Sequence, residues 1–240
     1  MKDLSFYSEQ LGISLTEEQL SQFEKYMNMV VEKNKVMNLT AITEPEDFYL
    51  KHFADSLSVV SATEKAAPIQ ENSVSLIDVG TGAGFPAIPL KIAFPQIKLT
   101  LLDSLNKRVG FLNDVIDTLQ LSDTTAIHAR AEEGARKAEL RDSFDFVVSR
   151  AVASMNVLTE YCLPYAKPNG LFIAYKSGEI EDELTEAKNA IKLLGGKLED
   201  IISFNLADSD IERSFVIIRK VSATPKRFPR KPGTAKKDPL

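Results

Sequence analysis

Three glycines at alternate positions, Gly80, Gly82 and Gly84, stand behind an apolar run ending in Asp78, within SLIDVGTGAGFPAIPL at residues 75–90. Glycines so placed let the main chain approach a ligand closely and turn helix N–H groups toward it, which suits a carboxylate or a pyrophosphate. The spacing is G-x-G-x-G. Dinucleotide sites use G-x-G-x-x-G, and the Lys-Ser/Thr pair of a nucleotide P-loop does not follow here. S-adenosylmethionine, with an adenosine, a carboxylate and an ammonium but no phosphate, suits the loop better, and Asp78 is expected to answer its ammonium. Asp103 closes the next apolar run, 23 residues after Gly80, where a carboxylate can accept both ribose hydroxyls. Ala131 and Glu132 follow the third run and are placed to frame the adenine. An ordinary tight turn with Asp103 as a helix cap competes for the same residues. The strand context and the spaced acid favour the cofactor.

Methyl transfer from a sulfonium is an in-line displacement, so alignment dominates the chemistry. A pyrimidine-carbon acceptor calls for a cysteine nucleophile. Cys162, the single cysteine, falls on the apolar stripe of a helical pattern and is expected to be structural. An exocyclic-amine acceptor goes with an Asp/Asn-Pro-Pro-aromatic turn after the fourth strand, where this chain has SRAVAS. An acceptor nitrogen with a free in-plane lone pair and no proton, of which a guanine N7 is an example, needs no general base, and no catalytic residue is assigned. Arg150 ends the fourth run and is assigned to the cofactor carboxylate or a phosphate, because an arginine on N7 itself would block attack. Its structural alternative is an ion pair with Asp145 or Glu160. His52, three residues before Asp55, reads as packed or solvated, and His128 as packed; no pair has metal-ligand spacing.

The elements that must position these groups follow from hydrophobic period. TEEQLSQFEKYMNMVVEKNK opens with a Thr16/Gln19 capping box and puts Phe23, Tyr26, Met27, Val30 and Val31 on one helical stripe; a second helix is expected from Glu46 to Val60. From residue 74 the chain runs through seven short β-rich stretches: 74–79, 97–103, 124–129, 144–150, 170–176, 197–204 and 213–220. Amphipathic stretches separate most of them, which implies an α/β, doubly wound, Rossmann-like sheet. The last two runs are too close for a helical crossover and should pair antiparallel. Pro86 sits where a helix would begin. The expected organisation is a helical extension over 1–70, a cofactor-binding domain over 71–222 and a basic arm over 223–240.

The chain has 240 residues, 29 Lys+Arg and 34 Asp+Glu, and no run of eighteen apolar residues. One cysteine forms no internal disulfide, so a soluble, reducing, cytoplasmic setting is expected. Residues 221–240 carry six of the basic residues and one acid, against a clearly acidic remainder. The tail KRFPRKPGTAKK therefore suits an extended arm on phosphates, with Lys226, Arg227, Arg230, Lys231, Lys236 and Lys237 as contacts and Phe228 as a stacking ring. Lys107 and Arg108, opening the helix after Asp103, would extend that basic track.

Together HFADSL, DVGTGAGFPAIPL, LLDSLNKRVGFL, RAEE, VVSRAVASMNVL and TPKRFPRKPGTAKKDPL resemble the bacterial small-subunit ribosomal RNA guanine-N7 methyltransferases of the RsmG or GidB type. The resemblance runs from NLTAIT at 38–43 to the last residues. It implies a class I methyltransferase fold, S-adenosylmethionine as cofactor, methylation of a guanine N7 in 16S ribosomal RNA, and that RNA or the 30S particle as partner. It also implies a cofactor site including Gly80, Phe85, Ala131, Glu132 and Arg150. The chain departs from the pattern at Ala87, where glycine is usual, in VEKNK, which lacks a tryptophan before asparagine, and in YKSGEI, a looser lysine-glycine turn. The competing readings are a small-molecule methyltransferase and a non-catalytic ribosome-binding factor.

Overall fold

The computed structural model describes residues 2–64, 69, 73–178 and 180–240. Seven strands, β1 (Ser75–Val79), β2 (Lys98–Asp103), β3 (Thr124–His128), β4 (Phe144–Arg150), β5 (Ala166–Lys176), β6 (Gly196–Asn205) and β7 (Glu212–Lys220), form one sheet in the order β3-β2-β1-β4-β5-β7-β6. The first five pair in parallel, and β7 runs antiparallel between β5 and β6. The hairpin connection from Asn205 to Glu212 forces that reversal, as the short spacing requires. β5 begins at Ala166, earlier than the apolar run suggests, because a register shift lets Phe144 pair with Ala166 before Phe146 pairs with Leu171.

Helices cover both faces. On one, Leu76, Leu101, Phe146, Val148 and Ile173 pack with Phe23, Tyr26, Ile88 and Leu112; on the other, Ile77, Val147, Phe172 and Ala174 pack with Leu158, Cys162 and Leu184. Successive strand residues thus feed opposite cores, which is why the central strands read as continuous apolar runs. The N-terminal helices share the first core: Tyr26 and Val30 of the helix Glu17–Met37 are fully buried, and its Thr16/Gln19 capping box is formed. The expected boundary at 70/71 lies outside the described residues.

Two elements depart from the expected outline. The second helix begins at Pro45, contains a π-helical turn over Tyr49–Ala54, returns to α over Asp55–Leu57 and ends with Val59–Thr63. The C-terminal segment is not an extended arm. Phe228 is 4% exposed in the second core, and Thr234–Lys237 form a helical turn despite the neighbouring prolines. The strand order reverses between β1 and β4, so the chain leaves a crevice at their carboxyl ends, where an open α/β sheet takes its ligands.

Candidate active site

The loop after β1 has all three glycines at positive φ, +77° at Gly80, +63° at Gly82 and +110° at Gly84. Their surroundings separate their roles. A Cβ on Gly84 would stand 2.3 Å from Ile88 Cδ1 and 2.7 Å from Tyr26 Oη, so glycine there lets the helix Glu17–Met37 lie on the loop. Tyr26 Oη seals that contact by donating to the Ala83 carbonyl at 2.8 Å. A Cβ on Gly82 would meet nothing within 4 Å, and this bare backbone borders the crevice. Pro86 precedes the helix Ala87–Ala93 as its cap residue, one position earlier than expected.

Two hollows meet at Gly80. The larger, about 510 Å³, is bordered by the glycine loop, Phe85, His52, Asp55, Arg150, Lys51, Lys176 and Arg213. The smaller, about 240 Å³, is bordered by Val79, Leu102, Ser104, Ala129–Glu132, Tyr161, Gly233 and Lys236. Ala131 and Glu132 open the short helix Ala131–Gly134, just past the end of β3. The Glu132 Oε1 accepts from the Gly233 N–H at 2.8 Å, a contact with the tail that the sequence does not announce.

The acids at the strand ends brace the loop. Asp78 is fully buried, accepts from Thr81 Oγ1 at 2.7 Å, and has no protein partner for its Oδ1. Burial raises its pKa to about 7. Its carboxyl lies beneath the loop and lines neither hollow, which corrects the expectation of a group presented directly to a ligand ammonium. Asp103 is 3% exposed; its Oδ2 accepts from Gly82 N at 3.0 Å and its Oδ1 from Leu105 N at 2.8 Å. In this structure it ties the tip of the glycine loop to β2.

Arg150 reaches from β4 into the larger hollow and meets neither Asp145 nor Glu160. Its Nη1 lies 2.5 Å from Asp55 Oδ2, its Nη2 3.3 Å from His52 Nδ1, and its guanidinium 5.2 Å from the centroid of Phe85. Asp55, only 3% exposed, takes Arg213 Nε on its other oxygen at 2.6 Å. One carboxylate thus clamps two arginines from β4 and β7. His52 stacks on Phe85 at 4.4 Å and 9°, and its Nε2 lies 2.7 Å from Thr40 Oγ1. Burial first, and the Arg150 charge second, pull its pKa down to about 3. The ring is neutral, with Nδ1 facing the Arg150 donor and Nε2–H directed to Thr40.

The expected nucleic-acid contacts divide. Lys107, Lys226, Arg227, Lys231, Lys236 and Lys237 are exposed. Arg108 instead borders the larger hollow and lies 3.5 Å from Asp103 Oδ2. Two assignments are corrected. Phe228 is a core plug, so it offers no ring for stacking. Arg230 is committed to Glu160, through Nη2 to Oε2 at 2.7 Å and Nε to Oε1 at 3.1 Å, a pairing that neutralises a carboxylate 1% exposed.

Residues 19–214 match the family described as GidB, rRNA small subunit methyltransferase G. The chain belongs to this family. A Ribosomal RNA small subunit methyltransferase G of Lachnoclostridium phytofermentans is 53% identical over 230 residues, covering 96% of this chain and 93% of that protein. Among solved structures, a putative sarcosine dimethylglycine methyltransferase from Galdieria sulphuraria aligns with a TM-score of 0.53 at 11% identity, over 69% of this chain and 84% of its own. M. jannaschii TYW2 in complex with AdoMet aligns at 0.50 and 19% identity, over 67% and 74%. These likenesses show the methyltransferase fold, and family membership makes the chain a methyltransferase rather than a non-catalytic factor. Sequence reading missed Thr40, Lys51, Asp55 and Arg213 as members of the site. The available signal was Asp55, an acid three residues after His52 within the helix expected over 46–60.

Proposed function

We propose that the chain transfers a methyl group from S-adenosylmethionine to the N7 of a guanine in small-subunit ribosomal RNA, free or within the 30S particle, in the cytoplasm. The family match over residues 19–214 carries this reading and disfavours a small-molecule acceptor. The cradle fits the cofactor on two grounds. Bare backbone at Gly82 leaves room, and the two hollows share Gly80 as an elongated ligand would require. The residues that would hold it are Gly80, Gly82, Phe85 and Arg150 on one side and Asp103, Ala131 and Glu132 on the other, with Gly84 and Asp78 shaping the loop.

When bound, S-adenosylmethionine supplies an electrophilic methyl on a sulfonium. The chain's task is then to align the acceptor, and its own groups are arranged for positioning. His52 has both nitrogens engaged, Asp55 is held between Arg150 and Arg213, and Glu183 is paired with Lys176 at 2.6 Å. None of the three is poised to take a proton, which suits an acceptor nitrogen that carries none. Around the larger hollow Lys51, Arg108, Arg150, Lys176 and Arg213 outnumber the acids Asp55 and Glu183, a net positive lining that suits a phosphate backbone.

Incubation with methyl-labelled cofactor and either 30S subunits or free 16S RNA, with mapping of the labelled nucleoside, tests the reading. The expected product is 7-methylguanosine in the RNA, and the two arms identify the form of the substrate. Label on a ring carbon, on an exocyclic amine or only on small molecules would overturn it.

A further inference from the structure

The C-terminal segment forms part of the wall of the smaller hollow, and we propose that residues 231–237 belong to the cofactor site, with the Gly233 turn and Lys236 positioning its adenosine half. This rests on the reading that S-adenosylmethionine lies across Gly80. The larger hollow holds the arginine and lysine side chains suited to RNA. The smaller one, at the ends of β1, β2 and β3, offers the apolar flanks of Leu102, Ala129 and Ala131 beside the polar Ser104 and Glu132. That combination suits a flat purine with a hydroxylated sugar. Gly233 and Lys236 border this hollow, and no other residue after β7 does.

The wall is anchored on both sides of the turn. Upstream, Phe228 is buried, Arg230 is clamped on Glu160, and Arg141 donates to the carbonyls of Thr224 at 2.7 Å and Phe228 at 3.0 Å. Downstream, Ala235 is 1% exposed. Between them Gly233, at φ +82°, turns its N–H onto Glu132, so the tail fixes a carboxylate of the hollow from outside the sheet. A wall set in place before the ligand arrives removes ordering cost from binding. The basic residues of the tail thus split between two tasks. Arg230 anchors and Lys236 borders the adenosine hollow, while Lys226, Arg227, Lys231 and Lys237 face solvent.

Calorimetric titration of the full-length chain with S-adenosylhomocysteine tests this in Gly233→Pro, which loses both the N–H and the positive φ, and in Lys236→Ala, a change at an exposed side chain. Lys192→Ala, on the far helix Glu181–Leu193, is the control. The dissociation constant should rise about tenfold in Gly233→Pro, the scale of one hydrogen bond to a charged group, and about threefold in Lys236→Ala. It should not change in Lys192→Ala. In the parent, the amides of residues 231–237 should exchange more slowly with S-adenosylhomocysteine present. If Gly233→Pro does not fold, Lys236→Ala and the exchange measurement decide. Parental affinity in the folded variants, with unchanged exchange in the tail, would overturn the inference and leave the methyltransferase reading intact. Failure of the parent chain to bind S-adenosylhomocysteine would overturn the cofactor reading and this inference with it.

Discussion

At the residue scale, two buried groups oppose each other in their response to pH. Asp78 keeps its proton to about pH 7 in the folded chain and only to 3.8 when unfolded. The stability it contributes is complete below pH 3.8 and is lost as pH rises toward 7. His52 runs the other way: its folded pKa of about 3 lies below 6.5, so its contribution is complete above pH 6.5 and is lost as pH falls toward 3. Each proton is worth up to about 1.4 kcal/mol per pH unit, and between pH 4 and 6.5 the two largely cancel. Urea denaturation should reveal the pair separately. Relative to the parent, Asp78→Asn gains stability as pH rises through that window, and His52→Gln gains as it falls. Equal slopes in parent and variants would remove both assignments. The glycines divide just as sharply. Gly82→Ala should cost about 1 kcal/mol of stability for its positive φ and weaken cofactor binding. Gly84→Ala must also displace Ile88 and Tyr26, and its thermal melt should fall further even without ligand.

At the element scale, the π-helical turn Tyr49–Ala54 and the tail show how local pattern and final role part company. Amphipathic period reads residues 46–60 as one plain helix. A π turn inserts one extra residue into such a helix and rotates the next turn about the axis, a feature often found at functional sites. Here it contains Lys51 and His52 and precedes Asp55, and all three meet Arg150. The tail's composition announces an extended basic arm, whereas its aromatic ring has gone into the core. Phe228→Ala should therefore cost about 3–4 kcal/mol in chemical denaturation, as for a buried phenylalanine elsewhere. A ring that merely stacked on RNA would leave the melt of the free protein unchanged, and that result would return the tail to the extended reading.

At the scale of the whole molecule, an acidic body carries exposed basic residues at Lys107 and along its C-terminal segment. Neutralising Lys107, Lys226 and Arg227 together, all outside the cofactor wall, should flatten the log–log salt dependence of RNA binding by about two units if each meets a phosphate, with cofactor affinity unchanged. An unaltered slope would assign those charges to solvent. The seven strands, the antiparallel last pair, the bare glycine loop and the acids at Asp78 and Asp103 were legible in the sequence. Each depends on short-range chemistry: side-chain period, turn length, and the residue types a close backbone approach tolerates. What those acids touch was decided only in three dimensions, since Asp103 finds Gly82 and Glu132 finds Gly233 across chain separations that no local pattern encodes. The same holds for Asp55, which clamps Arg150 and Arg213 from residues 95 and 158 positions away. Charge composition could not say which arginine of the tail stays free. Glu160, buried at the surface where the tail docks, had to be neutralised, and Arg230 was the cation that the fold carried to it.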